Sequence, residues 1–308
     1  STMSLQEYEM KVKRVVPAVF HMISGSEDSQ VSMEAYNVKG FELPNPAGKS
    51  GGACTAALLQ TLYKDEEDVG ELSWVEVLRT MRGVLKEMGY DQVPHLTSSR
   101  LIESDTPMKI IPEGCRGNKR ALLIAINYVG QDGELGACHN DLHNVKAYLT
   151  EVQGFQERDM LILMDDGEHH DPTRANIFKA FEKLVEYSKP GDVVWVSYSG
   201  HGGRARDRDG DEEDGYDETL IPVDFRTAGQ IIDDDILKLL IKPMSGGVTC
   251  TILMDCCHSG TVMDLPFVIG SEDRQMRIEE GFDMTRVRNK QKEEEKPRKS
   301  QKPENFEI

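Results

Sequence analysis

Five short runs of β-branched and other apolar residues, over 18–23, 121–126, 161–164, 193–198 and 251–254, set the terms for any fold of this chain. Apolar runs of this length without polar alternation read as strands buried on both faces. Between them lie apolar stripes at helical spacing: Leu78, Met81, Leu85 and Met88; Leu142, Val145, Leu149 and Val152; Ile177, Phe178, Phe181, Leu184 and Val185. Ser73-Trp74-Val75-Glu76 is a capping box that opens the first of these helices. Asp171-Pro172 is expected to open the third, with Asp as cap and Pro in the first turn. A helix over 53–63 and a short one over 235–241, stopped before Pro243, complete the set. This alternation predicts an α/β fold, a mostly parallel sheet with helices on both faces. Residues 97–118 carry no periodicity and hold Pro107, Pro112 and Gly114, so they read as a linker.

A chain of 308 residues has ample material for one large α/β domain or two smaller ones. Its net charge of −18 argues against nucleic acid as a partner and for basic substrates or cations. Much of the excess is local, because residues 204–235 hold twelve carboxylates and four arginines, whereas residues 271–308 hold ten charges of each sign. That last segment, poor in apolar residues, is expected to be weakly ordered. Six cysteines without framework spacing read as reduced thiols. With no secretory signal and no apolar run near eighteen residues, a cytoplasmic protein away from membranes is expected. Ser1-Thr2-Met3 reads as a remnant ahead of the native start, within an N-terminal extension of residues 1–14.

Two of the strands break into glycine-containing motifs, Tyr198-Ser199-Gly200-His201-Gly202-Gly203 and Asp255-Cys256-Cys257-His258-Ser259-Gly260, which place Cys257 fifty-six residues after His201. Ligands of open α/β sheets bind beyond the carboxyl ends of strands, where both motifs lie. A His about fifty residues ahead of a Cys is also the spacing of caspase-type cysteine peptidases. Alternation along a strand puts Ser199 and His201 on one face, Asp255 and Cys257 on one face, and Cys256 on the other. Cys257 is therefore the candidate nucleophile, and Cys256 a buried neighbour. Zinc is a poor reading of Cys256-Cys257-His258, since three consecutive residues do not converge on one tetrahedral ion. His258 points away and is given a supporting role at most, while His169-His170 lie in a polar loop with no catalytic role expected.

With Gly136-Ala137-Cys138-His139-Asn140-Asp141, Ile231-Ile232-Asp233-Asp234 and the acidic loop around Asp217 added to the two motifs, residues 119–270 resemble the large-subunit region of the metacaspases. These are calcium-dependent peptidases with a caspase-like fold. Residues 15–105 resemble the metacaspase small subunit in Ile23-Ser24-Gly25-Ser26, Gly52-Ala53-Cys54-Thr55 and Pro94-His95-Leu96-Thr97-Ser98-Ser99. Here that piece comes first, the order of type III metacaspases, with residues 106–118 as the link and one sheet expected from both regions.

The resemblance implies a Cys257–His201 dyad, with an oxyanion hole from the amides of Gly202 and Cys257. It implies a substrate pocket of Cys138, Asp141, Ser199 and Asp255, whose acids favour Arg or Lys before the scissile bond; the weaker alternative for Asp141, read alone, is a helix cap. It assigns calcium to Asp217, Asp233, Asp234 and Asp264, hard oxygen ligands from three segments. Asp207, Asp209, Asp211 and Glu218 mimic an EF-hand, but Glu212 stands where that loop requires Gly. Expected partners are peptide substrates, bound by a monomer. A calcium-responsive, chaperone-like interaction protein on the same fold is the alternative, and a paracaspase or legumain-like peptidase a third. The intact Cys257 and His201 favour the peptidase, and the four aspartates favour a metacaspase.

Overall fold

The computed structural model describes residues 3–25, 34–35, 38–68, 72–206, 216–257, 262–263, 265–270 and 275–278. The first region runs through α1 (Leu5–Val15), β1 (Val19–Ser24), the short antiparallel pair β2 (Glu34–Ala35) and β3 (Gly51–Gly52), helices α2 (Ala53–Asp68) and α3 (Trp74–Glu87), and β4 (His95–Ser98). After it come β5 (Lys119–Ala125), α4 (Cys138–Glu151), β6 (Met160–Met164), α5 (Arg174–Tyr187) and β7 (Val193–Ser199). A hairpin of β8 (Gly202–Arg206) and β9 (Tyr216–Leu220) follows, then α6 (Phe225–Ala228), β10 (Ile231–Ile232) and α7 (Asp233–Ile236), which continues into a π-helical turn, Leu237–Ile241. The chain then enters β11 (Thr249–Asp255), β12 (Phe267–Ile269) and β13 (Arg277–Ile278).

Among the described residues eight strands form one sheet in the order β13-β12-β4-β1-β11-β7-β5-β6. The five strands from β1 to β6 are mutually parallel, and β4, β12 and β13 add antiparallel pairs at one side. All five apolar runs fall in the parallel part. Each such strand is buried on both faces, and alternate residues feed two cores: Ala121, Leu123, Ala125, Trp195 and Leu253 join the core under α2, α3 and α4, while Leu122, Ile124, Val196, Ile252 and Met254 join that under α5 and the π-helical turn. β4 and β1, from early in the chain, lie side by side between β12 and β11, from late in the chain.

Several local expectations need correction. The N-terminal extension contains α1, in which Ser4 and Glu7 form a capping box and Tyr8 and Val12 pack on Phe267. α2 continues five residues past Tyr63. Thr97 and Ser98 belong to β4 rather than to a linker, and Ile102 and Ile110 are buried in the first core. β4 carries three polar side chains in four residues, so its burial comes from pairing with β1 and β12 and not from apolar content. The cap of α5 is Thr173, whose side chain accepts from the Asn176 amide, and not Asp171. The expected 235–241 helix begins at Asp233 and widens into the π turn. In the charged C-terminal segment, Arg277 and Ile278 pair with β12.

Candidate active site

Parallel pairing of β7 with β11 brings the two motifs together. Ser199 and Asp255 are cross-strand partners at the ends of these strands, so His201 and Cys257, each two residues further on, leave neighbouring strands with the same offset. Adjacent strands lie about 4.8 Å apart, the scale on which two side chains meet. Gly202 confirms the closeness, since a Cβ there would sit 1.8 Å from the Cys257 carbonyl oxygen and 3.2 Å from its amide nitrogen. Only a residue without a side chain fits there. The alternation argument also places the two thiols: Cys256 is buried in the core with Ile252 and Met254, whereas Cys257 is half-buried, and none of the six cysteines is in a disulfide.

The His201 ring is held at Nε2, which lies 2.7 Å from the carbonyl oxygen of Gly133. A carbonyl only accepts, so this bond fixes the proton on Nε2 and leaves Nδ1 as the basic nitrogen of the neutral ring. The Tyr128 ring stands 4.7 Å from the imidazole, and its hydroxyl accepts from the His201 amide at 2.9 Å. The loop carrying Tyr128 and Gly133 is tied down by Asp165, which accepts from the Asn127 and Val129 amides and pairs with His139. Burial alone would raise the Asp165 carboxyl, but those hydrogen bonds outweigh it and hold the group below its ordinary value.

The four predicted pocket residues lie one layer beneath. Asp141 accepts from the Ser199 hydroxyl at 2.7 Å and from the Gly52 amide at 2.7 Å. Thr55 donates to Asp255 Oδ2 through its amide at 2.9 Å and its hydroxyl at 2.8 Å. Asp141 and Asp255 are 3% and 6% exposed, and Cys138, which begins α4, is also buried. Asp141 is in the first turn of α4, whose cap position is Ala137, so it is not the helix cap. A Cβ on Gly52 would lie 2.1 Å from Asp255 Oδ2 and 2.9 Å from Asp141 Oδ2, which puts the two oxygens within about 5 Å of each other. Cys54 adjoins the same acids; burial first, then Asp255 and Asp141, pushes its thiol well up. Gly52, Thr55, Tyr128, Gly133 and Tyr198 were not read as site residues from sequence. The available signals were Gly51-Gly52 just before a helix and Tyr128 just after a strand.

The metal candidates divide differently. Asp217 on β9 and Asp233 at the start of α7 are buried, and Asp234 is half-buried beside them. Asp233 accepts from the amides of Glu218 at 3.3 Å and Asp234 at 2.7 Å. Arg204 stands 3.7 Å from Glu218. Asp264, His258 and the EF-hand-like positions 207–212 lie outside the described residues. Among the described residues no three acidic, His or Cys groups are arranged around a common metal position. The donor chemistry of Asp217, Asp233 and Asp234 is nonetheless that of a hard cation. His169 pairs with Asp166 away from these groups.

Comparison with known proteins gives a single answer. The family model "Metacaspase, peptidase C14 domain" matches residues 119–266. "Metacaspase III c" of Phaeodactylum tricornutum is 46% identical over 287 residues, spanning 92% of this chain and 85% of that protein. "Metacaspase-1A" of Neurospora crassa and "Metacaspase-1" of Sclerotinia sclerotiorum are 49% and 48% identical over 160 residues, 51% of this chain. This chain spans only 35% and 37% of those two proteins. The Phaeodactylum match runs through both halves, so the segment ahead of the peptidase domain is shared as well as the domain. The chain belongs to the metacaspase family of cysteine-type endopeptidases, in the type III arrangement.

Proposed function

We propose that this enzyme cleaves peptide bonds after Arg or Lys, with Cys257 as nucleophile, His201 as base and acid, and calcium as activator. The convergence of Asp141 and Asp255 carries the specificity. Two buried carboxylates within about 5 Å of each other favour a cation between or beside them, and an Arg fork can accept that role with paired hydrogen bonds. An Asp side chain would add a third negative charge.

In this reading the Cys257 thiol gives its proton to His201 Nδ1, and the thiolate attacks the scissile carbonyl carbon. The amides of Gly202 and Cys257 donate to the resulting oxyanion. His201 returns the proton to the leaving nitrogen as the C–N bond breaks, leaving a thioester on Cys257. His201 then takes a proton from water as it attacks the thioester, which releases the acid and restores the thiol. Exchanging Asp255 for Asn should reduce kcat/KM for Arg substrates by about 100-fold while leaving alkylation of Cys257 intact; an unchanged preference would defeat the pocket assignment.

Asp217, Asp233, Asp234 and Asp264 would hold the calcium ion, which when bound supplies positive charge that gathers these acids and orders the loops bearing them. Calcium should raise the melting temperature of Cys257→Ala protein, and excess chelator should suppress the native enzyme's rate. Neither response would be expected if these acids only carry solvated charge.

A further inference from the structure

His201 sits where the chain leaves the central sheet at Ser199 and enters β8 at Gly202, between two strands of different sheets. Its ring partner is the neutral carbonyl of Gly133 rather than a carboxylate. Orientation of the imidazole, which a buried acid supplies in other nucleophile–base systems, must come here from uncharged contacts. Two phenols provide them. Tyr128 Oη accepts from the His201 amide at 2.9 Å and donates to the Ile221 carbonyl at 2.7 Å. Tyr198 Oη donates to the His201 carbonyl at 2.7 Å and accepts from the Ile221 amide at 3.2 Å. Tyr198 Oη also lies 3.2 Å from the Ile221 carbonyl oxygen and 3.4 Å from Tyr128 Oη, so the two phenols, both polar groups of the His201 backbone and those of Ile221 form one hydrogen-bonded cluster.

The arrangement is costly to build locally. Tyr128 has φ +54°, a left-handed conformation that a bulky side chain avoids unless surrounding contacts enforce it. Both tyrosines are 1% exposed, and the Tyr128 ring lies 4.7 Å from the imidazole at 36°. Gly200 passes directly over the pair, its absent Cβ 3.0 Å from Tyr198 Oη and 3.1 Å from Tyr128 Oη. Burial pushes both phenols above their ordinary range, so each keeps the proton it donates.

We propose that Tyr128 and Tyr198 form a clamp of positioning residues that fixes the backbone and ring of His201, so that Nδ1 rather than Nε2 serves the Cys257 thiol. This rests on the assignment of His201 and Cys257 as the dyad. Neither tyrosine need touch substrate, so loss of the clamp should appear in kcat and thiol reactivity, not in KM.

The test uses the full chain with Tyr128→Phe, Tyr198→Phe and the double variant, beside Cys257→Ala and His201→Ala. Peptide hydrolysis and melting temperature are measured on each, and iodoacetamide alkylation of Cys257 on every variant that keeps this thiol. Tyr128→Phe should lower kcat by about 10- to 100-fold with KM within about twofold, and alkylation should slow in parallel. Tyr198→Phe should show a smaller loss of the same kind, and the double variant should lose less than the product of the two, as expected for one unit. If Tyr128→Phe proves unstable, Tyr198→Phe decides alone. Unchanged kcat and alkylation, or a rise confined to KM, would overturn the clamp. If Cys257→Ala or His201→Ala stays active, the dyad assignment fails; inert dyad variants beside normal tyrosine variants reject the clamp alone.

Discussion

The surroundings of His201 and Cys257 and the acidic layer beneath them are built from different parts of the chain. Every group described around His201 and Cys257 (Tyr128, Gly133, Tyr198, Gly202) comes from the region that begins at β5, on or beyond the parallel strands. The acids Asp141 and Asp255 also come from that region, but Gly52 and Thr55, near the N-terminal end of α2, donate hydrogen bonds to them. Under the proposed function, the chemistry would belong to one region and recognition to the seam between two. An order of segments that places the first region ahead of the second preserves both, because β1 enters the sheet directly beside β11.

The contrast can be broken from either side. Gly202→Ala should have the largest effect, since the new methyl would fall 1.8 Å from the Cys257 carbonyl oxygen; turnover should fall by about 1000-fold or more for every substrate, with alkylation of Cys257 equally disturbed. Gly52→Ala, with its methyl 2.1 Å from Asp255, should cost about 100-fold in kcat/KM for Arg peptides while Cys257 still alkylates at the native rate. If both variants lose alkylation alike, the two regions are not separable. Thr55→Val removes the hydroxyl donor to Asp255 and should raise KM by about 10-fold, a loss of about 1.4 kcal/mol, and Thr55→Ser should recover most of it.

The smallest effect concerns stability within the first region. His21 on β1 lies 3.1 Å from Ser98 Oγ, with its ring 4.6 Å from Trp74. Burial first, and the Arg100 guanidinium second, push its imidazole from 6.5 down to about 4. Between those pH values the unfolded chain binds a proton that the folded chain refuses. Stability should therefore fall as pH drops from about 6.5 to about 4 and level off below, by on the order of 3 kcal/mol at most. Melting curves across that range should show the loss, and His21→Gln should flatten it; an equally steep loss in the variant would assign the effect elsewhere.

The sequence carried the parallel core well because the apolar runs encode burial on both faces, which is what β5, β7 and β11 experience. It also separated Cys257 from Cys256, since strand alternation persists to the end of β11. β4 was illegible for the opposite reason: its polar residues are buried by pairing, which leaves no pattern in the strand itself. The contributions of Gly52 and Thr55 were hidden by distance, 200 residues separating Thr55 from Asp255. Tyr128 was hidden because its position depends on a left-handed backbone that a Tyr does not advertise.

The central claim is that a dyad in the second region works above a seam of acids that selects basic residues. Hydrolysis of three peptides that differ only in Arg, Lys or Asp before the scissile bond, by native enzyme and by Cys257→Ala, tests it most directly. Cleavage after Arg and Lys at least about 100-fold faster than after Asp, and none by Cys257→Ala, is the predicted result. Equal or preferred cleavage after Asp, or activity surviving in Cys257→Ala, would contradict it.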